Sequence, residues 1–208
     1  MNFIGVLSIS VHNKQHFSSG EGALVVANHP TLVDVVIIIS QLRQCDCIVK
    51  ASLWKNPFTR HVIQMAGYIR NDHPMILEIC GKKIASGRKL LVFPEGTRTE
   101  PNQKIKCQRG AAQLALRCQA TIQRVLITSR PAALYKGIAW YQVPERQPKI
   151  DVHVLPPESI EHILDQSRSV PIAARKLTKY FDSALEPSKA FALNNIEDYA
   201  VEHFRKQN

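Results

Sequence analysis

Short, mainly apolar runs recur along this chain, and each is too short to be a buried helix. The clearest are ALVVA at Ala23 to Ala27 and KLLVF at Lys89 to Phe93. Runs of this length, bounded by turn residues, are typical of strands buried on both faces of a parallel sheet. Because parallel strands need crossover connections, helices should lie between them. The pattern predicts a single α/β domain over residues 1–208, with a mixed, mostly parallel central sheet flanked by helices.

Helical patterns do alternate with the apolar runs. Further strands are predicted at Cys47 to Lys50, Tyr68 to Arg70, Ile122 to Ile127 and Ile150 to Leu155. Helices are predicted from Pro30 to about Gln41, from Pro57 to before Gly67, from Ile76 to Gly87, after Gly110, from Val170 to Pro187 and over Ile196 to Phe204. The proline-rich residues 131–148 indicate a loop or an edge hairpin.

Positive charge is concentrated in the first part of the chain. Residues 1–130 hold 17 Lys and Arg against 7 Asp and Glu, whereas residues 131–208 hold 10 of each. Such a surplus favours an anionic partner, which could be nucleic acid, a membrane surface, an acidic protein or a phosphorylated substrate. A general bias toward solubility explains it equally well. Composition alone leaves these alternatives open.

The cysteines and the apolar runs bear on the cellular location. Five scattered cysteines without a C-x-x-C pair indicate neither a disulfide framework nor a zinc site, and their odd number fits a reducing cytoplasm. The most apolar run, Leu32 to Ile39, is shorter than the roughly 20 residues that span a bilayer. The N-terminus lacks the features of a secretory signal. We expect a cytoplasmic chain with no membrane-crossing segment, no cofactor and no metal ion.

The segment from Asn28 to Asp34, NHPTLVD, follows a predicted strand and opens a predicted helix. Pro30 suits the first helical position, which would place His29 at the N-cap. Because residues five apart lie on different sides of a helix, His29 can meet Asp34 only by turning back from ahead of the helix. A carboxylate on one imidazole nitrogen would leave the other as a base. A capping His and a solvated Asp are the more common reading of this spacing alone.

A second segment, Phe93 to Thr99 (FPEGTRT), follows the strongest predicted strand, at the edge where α/β sheets carry their sites. Gly96 permits a tight turn, Glu95 can accept hydrogen bonds, and Arg98 offers a fork that fits phosphate. A turn with an exposed Glu–Arg pair would look the same. Other basic residues lie at a strand end or before a helix N-terminus, where they could bind an anion. They are Arg70, Lys104, Lys106 and Arg109.

Together these motifs resemble those of the glycerolipid acyltransferases, of which 1-acyl-glycerol-3-phosphate acyltransferase is the type member. N-H-x-x-x-x-D is followed about forty residues later by G-x-x-R and then by F-P-E-G-T-R. The resemblance covers about residues 20–130 and implies a glycerol-3-phosphate acyltransferase-like fold. It is nearest to short bacterial lysophospholipid acyltransferases without N-terminal membrane helices. The chain departs from the family in the fourth motif, where the proline after the strand is Pro131.

The resemblance implies a role for each motif. His29 would act as general base, oriented by Asp34, on an acceptor hydroxyl that attacks an acyl thioester directly. The substrate-binding residues that it implies, with two neighbours added from charge and position, are Arg70, Glu95, Gly96, Thr97, Arg98 and Lys106. The expected cosubstrates are acyl-CoA or acyl carrier protein as donor and a lysophospholipid as acceptor.

The expected location is peripheral, on the inner face of the cytoplasmic membrane, and no nucleic acid partner is expected. Met1 to Leu7 and Trp54 with Phe58 are candidates for membrane contact. Two alternatives stay open. One is an acyltransferase of the same fold that uses another acceptor, such as an amino-lipid or an aryl-polyene or glycolipid intermediate. The other is a basic module that binds membrane or nucleic acid without catalysis.

Overall fold

The computed structural model describes residues 6–18, 21–101, 103–139, 141–142, 144–161, 163 and 169–187. Its strands are β1 (Ser8–His12), β2 (Ala23–Ala27), β3 (Cys45–Val49), β4 (Ile69–Arg70), β5 (Lys89–Val92), β6 (Ile122–Arg130) and β7 (Lys149–Glu158). Its α-helices are α1 (Asp34–Gln41), α2 (Ala51–Lys55), α3 (Pro57–Met65), α4 (Ile76–Ala85), α5 (Arg109–Arg117) and α6 (Val170–Ala184), with a short 3-10 helix at Lys14–Ser18.

The strands form one sheet in the order β1-β7-β6-β2-β5-β3-β4. Neighbouring strands from β6 to β4 are parallel, and β7 pairs with β6 in the antiparallel sense. The edge strand β1 runs parallel to β7. The α/β prediction with a mixed, mostly parallel sheet is therefore confirmed. Strands β2 to β6 all end at one side of the sheet, which we call the carboxyl edge.

The sheet is buried on both faces because helices cover each of them. Leu24, Leu90 and Ile122 point into a core with α4, α5 and α6. Val25 and Leu91 point the other way, into a second core that also holds residues of α1 and α3. This two-sided burial explains why the central strands appear in the sequence as continuous apolar runs.

One sequence prediction needs correction, two elements were missed, and the loop alternative for residues 131–148 is confirmed where they are described. The helix predicted from Pro30 begins at Asp34, because the preceding residues form a turn held by the Asp34 side chain. The edge strand β1 and helix α2 were not predicted; β1 is half exposed and lacks the apolar pattern of the central strands. Residues 131–148, where described, contain neither strand nor helix. The helix predicted at 196–204 lies outside the described residues.

None of the helices in the described ranges combines the length and apolar character needed to cross a bilayer.

Gly22, just before β2, is the point of closest approach between the sheet and α4. A Cβ atom placed there would lie 1.8 Å from the carbonyl oxygen of Ile84 and 2.6 Å from its carbonyl carbon. Backbone atoms cannot move aside as a flexible side chain can, so only glycine fits. In contrast, a Cβ on Gly110, inside α5, would have no atom within 4 Å.

We expect Gly22→Ala to lower the free energy of unfolding by at least about 1–3 kcal/mol, the usual cost of overpacking. Gly110→Ala should leave it unchanged or raise it slightly, since alanine favours a helix. Chemical denaturation followed by circular dichroism would measure both variants. Equal stability of Gly22→Ala and the wild type would contradict the close approach of α4.

Candidate active site

The site begins with the side chain of Asp34, which is fully buried at the first turn of α1. Its Oδ2 accepts the backbone N–H of Thr31 at 2.7 Å, and its Oδ1 accepts the Thr31 hydroxyl at 2.5 Å. His29 Nδ1 lies 2.9 Å from the same Oδ2. The positive end of α1 also favours a negative charge at this place. The carboxylate therefore holds the chain from His29 to Thr31 in a turn ahead of the helix.

Because His29 lies in a turn ahead of α1 rather than in the helix, it can meet Asp34 although the two are five residues apart. An ionised carboxylate only accepts hydrogen bonds, so the His29 Nδ1 must carry the proton and donate it to Asp34. Nε2 is then the nitrogen that keeps its lone pair. The ring remains partly open to solvent, with 18% of the side chain exposed. The pair thus has the arrangement of an oriented general base.

Asn28 ties this turn to the next strand of the sheet. Its side-chain amide donates to the carbonyl of Ile127 at 2.8 Å, and its Oδ1 accepts the Ile127 N–H at 2.7 Å. Asn28 is buried, and the amide replaces a backbone partner where β2 has ended beside β6. The end of β2, and with it His29, is held against the middle of the sheet.

Glu95 joins the second motif to the first. Its Oε1 accepts the backbone N–H of His29 at 2.9 Å, and both of its oxygens accept the Thr99 hydroxyl. In return, Thr99 N–H donates to the His29 carbonyl at 2.7 Å. Burial raises the pKa of Glu95, although the hydrogen bonds from Thr99 and His29 act in the opposite direction. Both peptide groups that flank the His29 α-carbon are therefore held from the FPEGTRT segment.

Two hollows lie near His29, although His29 itself lines neither of them. Phe93 stacks on the His29 ring, with centroids 4.3 Å apart, and it also lines a groove of about 440 Å³ between the sheet, α4 and α5. Other residues of this groove are Val49, Lys50, Gly96, Ala111 and Leu114. A second hollow, of about 570 Å³, lies on the β6 side and is lined by Asn28, Pro30, Thr99, Lys104 and Arg130.

Arg98 points toward the loop that follows β6. Its Nη1 donates to the backbone carbonyls of Leu134 at 2.9 Å and Tyr135 at 3.1 Å. The same Leu134 carbonyl accepts the N–H of Leu32, in the turn after His29. Arg98 thus fastens the post-β6 loop beside the His29 turn. Its role as a phosphate ligand stays a prediction.

The remaining predicted ligands are more dispersed. Arg70 ends the outermost strand, β4, and makes a two-point ion pair with Asp72 at 2.8 and 2.9 Å. Thr97 and Lys106 are exposed, and Gly96 lines the groove with a positive φ of 68°. The structure thus brings His29, Asp34 and Glu95 into one hydrogen-bond network. Arg70 and Lys106 lie on the same side of the sheet as this network but do not belong to it. Their binding roles stay predictions.

Several residues that shape the site were missed by the sequence reasoning. Thr31 and Thr99 supply hydroxyl groups to the two carboxylates, Asn28 bridges two strands, and Phe93 packs on the imidazole. All four lie inside the two segments singled out beforehand. Short polar side chains beside a strand end were the available signal, but their partners depend on the tertiary fold.

The sequence is similar to a family of known proteins. The profile of the Acyltransferase family matches residues 8–128. A 1-acyl-sn-glycerol-3-phosphate acyltransferase of Helicobacter pylori is 28% identical over 150 residues, covering 65% of this chain and 63% of the relative. The mouse 1-acyl-sn-glycerol-3-phosphate acyltransferase alpha is 26% identical over 163 residues, and the match covers 74% of this chain and 56% of the mouse protein. The chain therefore spans about half to two thirds of the length of these relatives.

The fold has a counterpart among solved structures. The crystal structure of the 1-acyl-sn-glycerophosphate acyltransferase PlsC from Thermotoga maritima superposes with a TM-score of 0.69 at 20% identity. The match covers 89% of this chain and 72% of that one. The fold is thus shared, and the family match includes the NHPTLVD segment, the G-x-x-R motif and the FPEGTRT segment. This chain belongs to the Acyltransferase family, as the motifs predicted.

All five cysteine thiols are removed from the solvent to some extent. Cys47, Cys80 and Cys107 are buried, and Cys45 and Cys118 are half-buried. Burial raises the pKa of every one of them, to about 12 for Cys45 and Cys80. Because the thiolate is the nucleophilic form, none of the five is suited to attack a carbonyl near neutral pH.

We expect the native protein to react slowly with Ellman's reagent at neutral pH, because burial opposes both access and ionisation of the thiols. The denatured protein should release the chromophore for all five thiols within the mixing time of a normal assay. Rapid release of even one equivalent by the folded protein would contradict the burial described here.

Proposed function

We propose that this protein transfers an acyl chain from a thioester, either acyl-CoA or acyl carrier protein, to the hydroxyl of a lysophospholipid such as 1-acyl-glycerol-3-phosphate. The observation that carries the proposal is the His29–Asp34 pair, built at the carboxyl edge of the sheet in a chain of the Acyltransferase family. The names of the relatives support the acceptor.

In the proposed reaction, His29 Nε2 takes the proton from the acceptor hydroxyl as its oxygen attacks the thioester carbonyl. Asp34 stabilises the imidazolium that results, through the hydrogen bond at 2.9 Å. Collapse of the tetrahedral intermediate breaks the C–S bond, and the leaving thiolate recovers the proton from His29. One ester and one free thiol are formed, so no acyl-enzyme is required.

Direct transfer requires that two substrates reach one base at the same time. One groove is lined by Phe93, which stacks on the imidazole, and the other hollow is lined by Asn28 and Pro30, the chain neighbours of His29. Two separate hollows near His29 would suit such a ternary complex. The high pKa values of the buried thiols also disfavour a cysteine as an alternative nucleophile. Cationic side chains near the carboxyl edge, among them Arg98 and Lys104, support a substrate that bears phosphate.

His29→Ala should lower kcat by at least about 10²-fold, the usual contribution of a positioned general base. The assay follows the release of free thiol from acyl-CoA or acyl carrier protein with a panel of lysolipids and identifies the products by mass spectrometry. His12→Ala is a matched control, because His12 lies on the edge strand β1, where it contacts Asp151 and stacks on His153, and strands β7 and β6 separate it from β2. Full activity of the His29→Ala protein would rule out the mechanism.

Arg98→Ala should raise KM for 1-acyl-glycerol-3-phosphate by about tenfold or more, since a charge-assisted hydrogen bond to the phosphate is lost. The KM for an uncharged monoacylglycerol should change much less. This pair of acceptors separates phosphate binding from the support that Arg98 gives to the loop at Leu134, because loss of loop support affects both acceptors.

Arg175→Ala provides the charge control for this measurement, since Arg175 is exposed on α6, which covers the other face of the sheet from α1 and α3. It should leave both KM values unchanged. An equal effect of Arg98→Ala on the phosphorylated and the uncharged acceptor would assign Arg98 to the loop alone.

A further inference from the structure

Helices α1, α2 and α3, together with the turn that precedes α1, expose large apolar side chains on the outside of the molecule. The exposed fractions are 51% for Leu32, 68% for Val36, 39% for Leu53, 67% for Val62 and 90% for Met65. We call these five residues the outer apolar face. A monomeric soluble protein rarely concentrates such side chains in neighbouring elements unless the surface contacts a partner.

The five side chains belong to a single layer of the fold. In α1, Ile37 and Ile38 pack into the second core, which leaves Val36 on the outer side of the helix. In α3, Ile63 packs into that same core, while Val62 and Met65 are exposed. Both helices therefore cover the same face of the sheet and present apolar residues outward.

The charge of this layer is of one sign. Between Asn28 and Ile69 the only acidic residues are Asp34 and Asp46, and both are buried. Asp46 is also neutralised by Lys83 and Arg88. The basic residues of the same stretch are all exposed: they are Arg43, Lys55 and Arg60, together with Lys50, which lines the groove beside Phe93. Exposed apolar side chains among exposed cations are what an anionic lipid surface binds.

The layer also adjoins the catalytic turn. Leu32 is three residues from His29 and one turn from Val36, and its N–H is bound to the carbonyl of Leu134. Beyond Leu134 an apolar hollow continues along Val6 and Tyr141, both well exposed. Insertion of Leu32 into a lipid surface would bring the His29 turn to the level of the head groups.

We propose that the outer apolar face docks this protein onto an anionic bilayer. The partner is a bilayer rather than an acidic protein, because the apolar residues are spread over three separate helices and extend to the site where a lipid hydroxyl would react. This inference deepens the proposed function, since it describes how a lipid acceptor reaches His29. Binding to lipid nevertheless needs no turnover, so the two can be tested separately.

The test is co-sedimentation of the full chain with vesicles of phosphatidylcholine alone and vesicles of equal parts phosphatidylcholine and phosphatidylglycerol. The wild type should bind the anionic vesicles and be released from them by high salt. The double variant Val62→Glu/Met65→Glu should bind at least about tenfold more weakly, because it loses two apolar contacts and adds two negative charges. Both substituted positions are exposed, so thermal unfolding should be close to that of the wild type.

Val170→Glu/Ile172→Glu is the matched control, since these exposed residues begin α6 on the opposite face of the sheet and give the same change in charge. It should bind like the wild type. The proposal is overturned if the wild type fails to bind anionic vesicles, if both double variants bind like the wild type, if both are weakened equally, or if the face binds acidic carrier protein but not lipid.

Activity assays separate this proposal from the acyltransferase function. The variant of the outer apolar face should retain wild-type turnover of a short-chain lysophosphatidate dissolved as monomers and lose at least about tenfold with acceptor embedded in vesicles. Vesicle binding without turnover of any acceptor would refute the proposed function and leave the docking surface intact. Equal turnover of the embedded acceptor by both double variants would refute the docking surface.

Discussion

The arrangement of the site depends on one buried carboxylate. Asp34 gathers the amide and hydroxyl of Thr31 and the imidazole of His29 around two oxygens, in a position with no contact with solvent. A buried charge is costly unless it is surrounded by donors, so the turn and the charge stabilise each other. The start of α1, the orientation of the imidazole and the exposure of Leu32 all follow from this cluster.

The arrangement of the site also depends on contacts between loops that are distant in the sequence. Glu95 and Thr99 hold both peptide groups around His29, Asn28 bridges to Ile127, and Arg98 holds the loop after β6. These contacts join the ends of three adjacent parallel strands. Three polar side chains of the motifs, those of Asn28, Glu95 and Arg98, thus bind backbone atoms of another strand or loop. The imidazole is positioned by the sheet as a whole rather than by its own turn.

The central strands and the location of the site could be predicted from the sequence, because both leave local signals. The run from Ala23 to Ala27 has no polar interruption, and a strand buried on both faces requires this. The edge strand β1 gave no such signal, since its exposed positions carry polar residues. The start of the helix at Asp34 was also beyond prediction from spacing, because Pro30 fits the first turn of a helix as well as it fits a turn ahead of one.

Predicting the partners of individual side chains from the sequence was harder. The family resemblance assigns Glu95 and Arg98 to substrate binding, which stays a prediction. In the structure their hydrogen bonds go to the Thr99 hydroxyl and to the backbones of His29 and the loop after β6. Charge identifies what a group can bind, and only the tertiary fold decides which of the competing partners is near.

The burial of the five thiols also bears on a side reaction, the acylation of cysteine by a thioester. Acyl thioesters exchange readily with free thiolates, so any exposed cysteine would become acylated by the donors that we propose. Here the pKa of each thiol is raised, and even Cys45 and Cys118 are only half-exposed. If the donors are the thioesters that we propose, these thiols would therefore compete poorly with an acceptor hydroxyl for the acyl group.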